Sequence, residues 1–102
     1  MGSFAISFRV HQDSTYQARY DSLIEQIKKC RHSWLETTSL ALVETTESLD
    51  TLEHRLYYDS KLLAERDLLF VVPITDEPAI LRGKDRLPAT LRAILPKAVN
   101  KT

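Results

Sequence analysis

The sequence predicts an α+β fold, a ferredoxin-like β-α-β-β-α-β sandwich whose four-stranded antiparallel sheet is followed by a short C-terminal strand and helix. Three observations predict it. Residues 4–11 alternate apolar and polar side chains, and residues 16–30 change to helical spacing. Two further apolar stretches, 34–44 and 68–72, flank a second helical stripe.

The alternation is strict. Phe4, Ile6, Phe8 and Val10 fall on one face and Ala5, Ser7, Arg9 and His11 on the other, the pattern of a half-buried strand. Gln12-Asp13-Ser14 is turn material, with Asp13 or Ser14 placed to cap the next helix. Tyr16, Tyr20, Leu23, Ile24, Ile27 and Cys30 then recur at helical spacing, while Gln17, Arg19, Asp21, Glu25, Gln26, Lys28 and Lys29 fall elsewhere. Acids early and lysines late suit the helix dipole. Arg31-His32-Ser33 breaks the pattern. The stretches 34–38 and 39–44, rich in β-branched and aromatic residues, read as two strands. Ser48 is placed to cap a second helix with the stripe Leu49, Leu52, Leu56 and Leu63, flanked by Tyr57, Tyr58 and Leu62.

Residues 68–72, Leu-Leu-Phe-Val-Val, are apolar on both faces and predict a central strand, which Pro73 ends. After the turn Asp76-Glu77-Pro78, Ala79–Leu81 predicts a short extra strand. Leu87, Leu91, Ile94 and Leu95, fenced by Pro88 and Pro96, predict one terminal helix with Pro88 in its first turn. Right-handed crossovers fold the two β-α-β halves into one sheet with both long helices on one face and the first and fourth strands central. The other face then stays uncovered, exposing Phe70 and its neighbours, and a second subunit is the simplest cover. A homodimer is expected.

Composition bounds the rest. The 102 residues form one domain, 1–102, with a core over about 4–75 and a basic extension over 76–102. Two glycines and four prolines argue against disorder and against a many-turned β-sandwich. No apolar run approaches the roughly 20 residues of a membrane span, no signal peptide is visible, and Met1-Gly2-Ser3 reads equally as native or as a cloning remnant. Cys30 is the sole cysteine, which excludes an internal disulfide and fits a cytoplasmic protein. Formal charge is zero, but unevenly spread. Residues 1–78 carry 8 basic and 13 acidic side chains, and residues 79–102 carry 6 basic and 1 acidic. Such a tail can meet phosphates or the acidic body of its own fold or of a partner.

Few residues could carry chemistry. Arg9 and His11 share the polar side of the first strand, about 7 Å apart. Histidine can serve as general base toward a ribose hydroxyl, with arginine stabilising charge on the phosphate. Equally, His11 ends a strand and Arg9 pairs with Glu36 or Glu44 across the sheet. Arg82, Lys84 and Arg86, three cations about a flexible glycine, are the nucleic-acid-binding candidates. Asp13 has two readings, helix cap or metal ligand with His11. His32 is assigned to a loop and His54 to a helix surface, Cys30 to the core, and Tyr57 and Tyr58 to helix–sheet packing or base stacking. Thr37, Thr38 and Ser39 offer hydroxyls to a phosphate or simply suit a strand. No Gly-rich phosphate loop, zinc spacing or Ser-His-Asp order is present, and no cofactor or metal site is assigned.

The stretches Phe4–His11, Tyr16–Tyr20, Trp34–Ser39, Asp59-Ser60-Lys61, Asp67–Val72 and Arg82-Gly83-Lys84 together resemble the SinR family. That family is similar in turn to CRISPR-associated protein 2, VapD-type ribonucleases and the GhoS antitoxin. The resemblance implies a small ferredoxin-like homodimer whose fifth strand adds to the partner's sheet, and an activity of RNA cleavage or duplex binding. CRISPR-associated proteins of this type end their first strand in an aspartate thought to hold a divalent metal. Here that end reads Arg9-Val10-His11-Gln12-Asp13, so a two-aspartate magnesium site is not carried over. Two functions follow as expectations. One is a dimeric nucleic-acid protein, an endoribonuclease with Arg9 and His11 at the chemistry and RNA or duplex DNA on Arg82, Lys84 and Arg86. The other is a non-catalytic module, antitoxin-like or an assembly subunit, that binds a partner protein. Neutral net charge favours the second.

Overall fold

The computed structural model describes residues 2–75 and 77–101, so Asp76 of the expected turn lies outside the described residues. Strand β1 (Gly2–Arg9) buries Phe4, Ile6 and Phe8 on one side and turns Ser7 and Arg9 to solvent on the other, as the alternation requires. Helix α1 (Tyr16–Ile27) follows, then β2 (His32–Trp34), β3 (Leu40–Thr45), α2 (Leu49–Tyr58) and β4 (Leu68–Ile74). Strand β5 (Ala79–Leu81), helix α3 (Pro88–Ile94) and β6 (Ala98–Asn100) complete the chain. The result is α+β, with a four-stranded antiparallel sheet in the order β2-β3-β1-β4 and a separate parallel pair, β5-β6.

Several boundaries differ from the sequence reading. Strand β2 lies at residues 32–34 rather than 34–38, because residues 37–39 make the bend into β3. His32 therefore opens a strand instead of sitting in a loop. Helix α1 takes Thr15 as its N-cap residue, not Asp13 or Ser14. Helix α2 is capped as expected, with Ser48 Oγ accepting the Thr51 N–H at 3.2 Å. It stops at Tyr58, so Leu62 is buried from the following loop and Leu63 lies outside the stripe. Pro88 opens α3 as expected.

The largest correction concerns β4. It lies beside β1, but at the edge of the sheet, while β1 and β3 occupy the middle. Pro73 does not end β4; the strand runs on to Ile74 with Pro73 opposite Phe4. Both facts have one cause, since a proline is tolerated within a strand where its missing donor faces a free edge.

The main core lies between the sheet and the two long helices. Ile6, Leu23, Ile27, Val43, Leu52 and Leu56 are fully enclosed there. The opposite face is not bare as expected. Trp34, Leu91, Ile94 and Leu95 form a second core that packs against Leu42, Ile74, Ala79, Leu81 and Ala98, so the C-terminal extension covers the β2 side of the sheet. Ser3 Oγ ties this layer down by donating to the Ile94 carbonyl at 3.1 Å. What stays open is the other part of that face, where Leu40, Leu68 and Phe70 stand in solvent near Ser7 and Arg9. No helix among the described residues is long and apolar enough to cross a membrane.

Candidate functional site

The end of β1 is fixed by a buried charge network. Arg19 is 2% and Asp67 8% exposed. The guanidinium of Arg19 meets Asp67 through Nη1, Asp13 through Nη2 and the Thr15 hydroxyl through Nε. Its Nη2 also donates to the His11 carbonyl at 3.0 Å. Asp67 Oδ1 accepts the His11 N–H and Oδ2 the Leu63 N–H, each at 2.9 Å. His11 is thus held at both backbone groups while its imidazole is exposed. Arg9, two residues earlier on the open face, is exposed and makes no ion pair with a described residue.

The charges in this network are satisfied, which is the condition under which buried ions persist. The Arg19 hydrogen bond, with help from Thr15 and Arg66, holds the Asp13 carboxyl far below the usual carboxylate range. Burial pushes Asp67 up, but the two backbone N–H bonds and Arg19 outweigh it and the group is lowered. Asp67 raises Arg19 in turn.

Asp13 is spoken for on both oxygens. Oδ1 takes Arg19 and the Thr15 N–H at 3.0 Å, and Oδ2 takes Arg66 at 3.0 Å. It is not the helix cap, which is Thr15; it closes the loop ahead of α1. Among the described residues no three His, Cys, Asp or Glu side chains gather into a metal-binding group.

The second candidate set lies elsewhere. Arg86 is locked in a two-pronged pair with Glu36, through Nε to Oε1 at 3.2 Å and Nη2 to Oε2 at 3.0 Å, and its N–H also donates to Oε1. Arg86 thereby lowers Glu36. Asp85 accepts the Trp34 indole N–H at 3.1 Å and the Leu87 N–H at 2.8 Å. Gly83 sits at φ 120°, a conformation that side chains disfavour. Arg82 and Lys84 remain exposed. This loop is tethered next to β2, and β2 stands two strands from β1, so about 10 Å of sheet separates the two sets. Arg9 ends β1 and His11 follows two residues later, outside the strand, while Arg82, Lys84 and Arg86 lie on the loop beside β2.

Glu36 and Glu44 do not pair with Arg9. Glu36 serves Arg86, and Glu44 lies near Arg31 and His32 at 3.9 and 3.7 Å. Cys30 is buried, its thiol raised by that burial, with Arg55 Nη2 3.4 Å from Sγ. His54 is exposed on α2 with its ring 4.4 Å from that of Tyr58. Tyr57 packs on the main core and Tyr58 is 65% exposed. Thr37 Oγ1 donates to the Leu40 carbonyl, so it serves the bend. A cleft of about 640 Å³ between α1 and β2 is lined by Tyr20, Ile24, Leu35 and Leu87 together with Asp21, Glu25 and Lys28; Arg9 and His11 are not part of it.

Sequence reasoning missed Arg19 and Asp67. The available signal was register: Arg19, Leu23, Ile27 and Cys30 share one helical face, so the arginine stood on the buried stripe. Compared with protein-family models, curated proteins and solved structures, the chain finds no match.

Proposed function

We propose that the chain is a small nucleic-acid-interacting protein of ferredoxin-like architecture that works as a homodimer, with Arg9 and His11 cleaving RNA. The element order and the strand order, with the first and third strands in the middle, support the ferredoxin-like reading. One observation carries the functional reading. A buried Arg19–Asp67 pair clamps the backbone of His11, yet leaves the residue exposed two positions from Arg9, which has no ion pair among the described residues. In this reading the imidazole takes the proton of a ribose 2′-hydroxyl as its oxygen attacks phosphorus, and the 5′-oxygen leaves. Arg9 stabilises the charge on the phosphoryl oxygens. Arg82 and Lys84 hold backbone phosphates further along, without reading bases.

The test is cleavage of a mixed-sequence RNA by highly purified protein, with and without chelator, for wild type and His11→Ala. Cleavage by wild type that His11→Ala abolishes, with the melting temperature unchanged, is the expected result. Cleavage that survives His11→Ala would remove His11 from the chemistry.

A second reading is favoured by different residues. Leu40, Leu68 and Phe70 are exposed on one sheet face, Glu36 neutralises Arg86, and net charge is zero. A non-catalytic interaction module fits these features, and it predicts no cleavage under any condition of the same assay.

A further inference from the structure

Strand β4 ends the sheet, with β1 as its hydrogen-bonded neighbour. Its seven residues carry no charge. Proteins that stay single usually blunt such an edge with lysine, a bulge or a covering segment. Here Pro73 alone interrupts it.

The direction of each peptide group follows from β1. The Phe8 N–H donates to the Ser39 carbonyl on the β3 side at 3.1 Å, so even-numbered residues of β1 bond toward β3 and odd-numbered ones toward β4. The odd residues of β1 stand opposite Leu68, Phe70, Val72 and Ile74. Leu69, Val71 and Pro73 therefore face outward. Asp67, next in that outward series, already donates its N–H to the Leu63 carbonyl at 2.8 Å, and Pro73 has none to give. The edge offers two donors, Leu69 and Val71, closed at each end by a residue with nothing to donate.

We propose that this edge joins the same edge of a second copy, antiparallel about a two-fold axis at Phe70, making one eight-stranded sheet. The proposal rests on the homodimer in the functional reading and specifies its contact. Two identical strands related by a two-fold axis must run antiparallel. Centred on Phe70, the pairing satisfies both N–H and both C=O groups of Leu69 and Val71, and Pro73 stays outside the ladder. A register one residue further would set Pro73 opposite Leu69, leaving a carbonyl unmet. The chosen register also covers what is now exposed. Phe70, 57% exposed, lies against its counterpart, and Leu68, 48% exposed, against Val72 of the partner subunit. A formal charge of zero puts no net repulsion between the copies. The two Arg9 residues then stand about 20 Å apart on one face, so each protomer keeps its own Arg9–His11 pair.

The experiment combines sedimentation velocity, amide hydrogen exchange and oxidative cross-linking of the full chain. A dimer is expected at about tens of micromolar, with slow exchange at the Leu69 and Val71 amides. Phe70→Lys is expected to raise the dissociation constant at least about 30-fold. Phe70→Cys is expected to form an intersubunit disulfide on air oxidation, since facing residues of such a pair lie within disulfide reach, while wild type with buried Cys30 does not cross-link. A monomer at every concentration would overturn both the edge pairing and the homodimer. A dimer with fast exchange at Leu69 and Val71 would overturn the edge pairing alone. Slow exchange without the Phe70→Cys disulfide would place a different strand on this edge, and overturns the proposal too.

Discussion

Asp67→Asn isolates the clamp behind His11. The substitution keeps shape and removes the charge. Asp67 now accepts three bonds, from the His11 N–H, the Leu63 N–H and Arg19, with no donor of its own. An asparagine has one oxygen and one NH₂ group. If the oxygen keeps His11 and Arg19, the NH₂ meets the Leu63 N–H, donor against donor. The reverse orientation abandons His11 and Arg19 instead. Either way a buried donor is orphaned, at about 1–3 kcal/mol, and a charge-assisted bond weakens by about another 1 kcal/mol. Taking about 3 kcal/mol, a domain of this size should melt about 12 °C lower or more. Circular dichroism at pH 7 measures it.

The pH dependence gives an independent arm. Asp67 is lowered in the fold, so its contribution is present above the unfolded carboxylate pKa, near 4, and is lost as pH falls through the lower folded value. Wild type should lose stability on acidification below about pH 4, and Asp67→Asn should lose less over the same window. A melting point within about 3 °C of wild type at pH 7, or an unchanged acid slope, would refute the clamp.

Leu52→Ala empties a fully enclosed position between α2 and the sheet and should cost about 2–5 kcal/mol in urea unfolding. Ser48→Ala removes the acceptor for the Thr51 N–H and should cost about 1 kcal/mol by the same measurement. Glu36→Gln frees Arg86 from its paired carboxylate, so affinity for a short RNA in low salt should rise and its salt dependence steepen by about one phosphate contact; an unchanged slope would show that Arg86 does not reach the phosphate backbone.

Local pattern was enough for β1, both long helices, the Ser48 cap, the Ala79–Leu81 strand and Pro88 at the head of α3, because period and capping chemistry are carried by neighbours in sequence. The same pattern misled at Pro73. A proline in an apolar strand reads as its end, although it equally marks an edge, and only pairing partners tell the two apart. Strand β6 went unread because three residues pairing in parallel with β5 leave no local signature.

The sequence by itself determined the first strand, the two long helices and the apolar strand after them, and that Arg9 lies on the polar side of the first strand, which ends there, two residues short of His11. Tertiary structure decided what those residues are attached to. Arg19 and Asp67 are 48 positions apart and meet only when α1 and the start of β4 close on the end of β1. Likewise, Glu36 and Arg86 find each other across 50 positions. Spacing along a chain records period; it does not record which distant charge will share a buried site, since that is settled by the packing of whole elements.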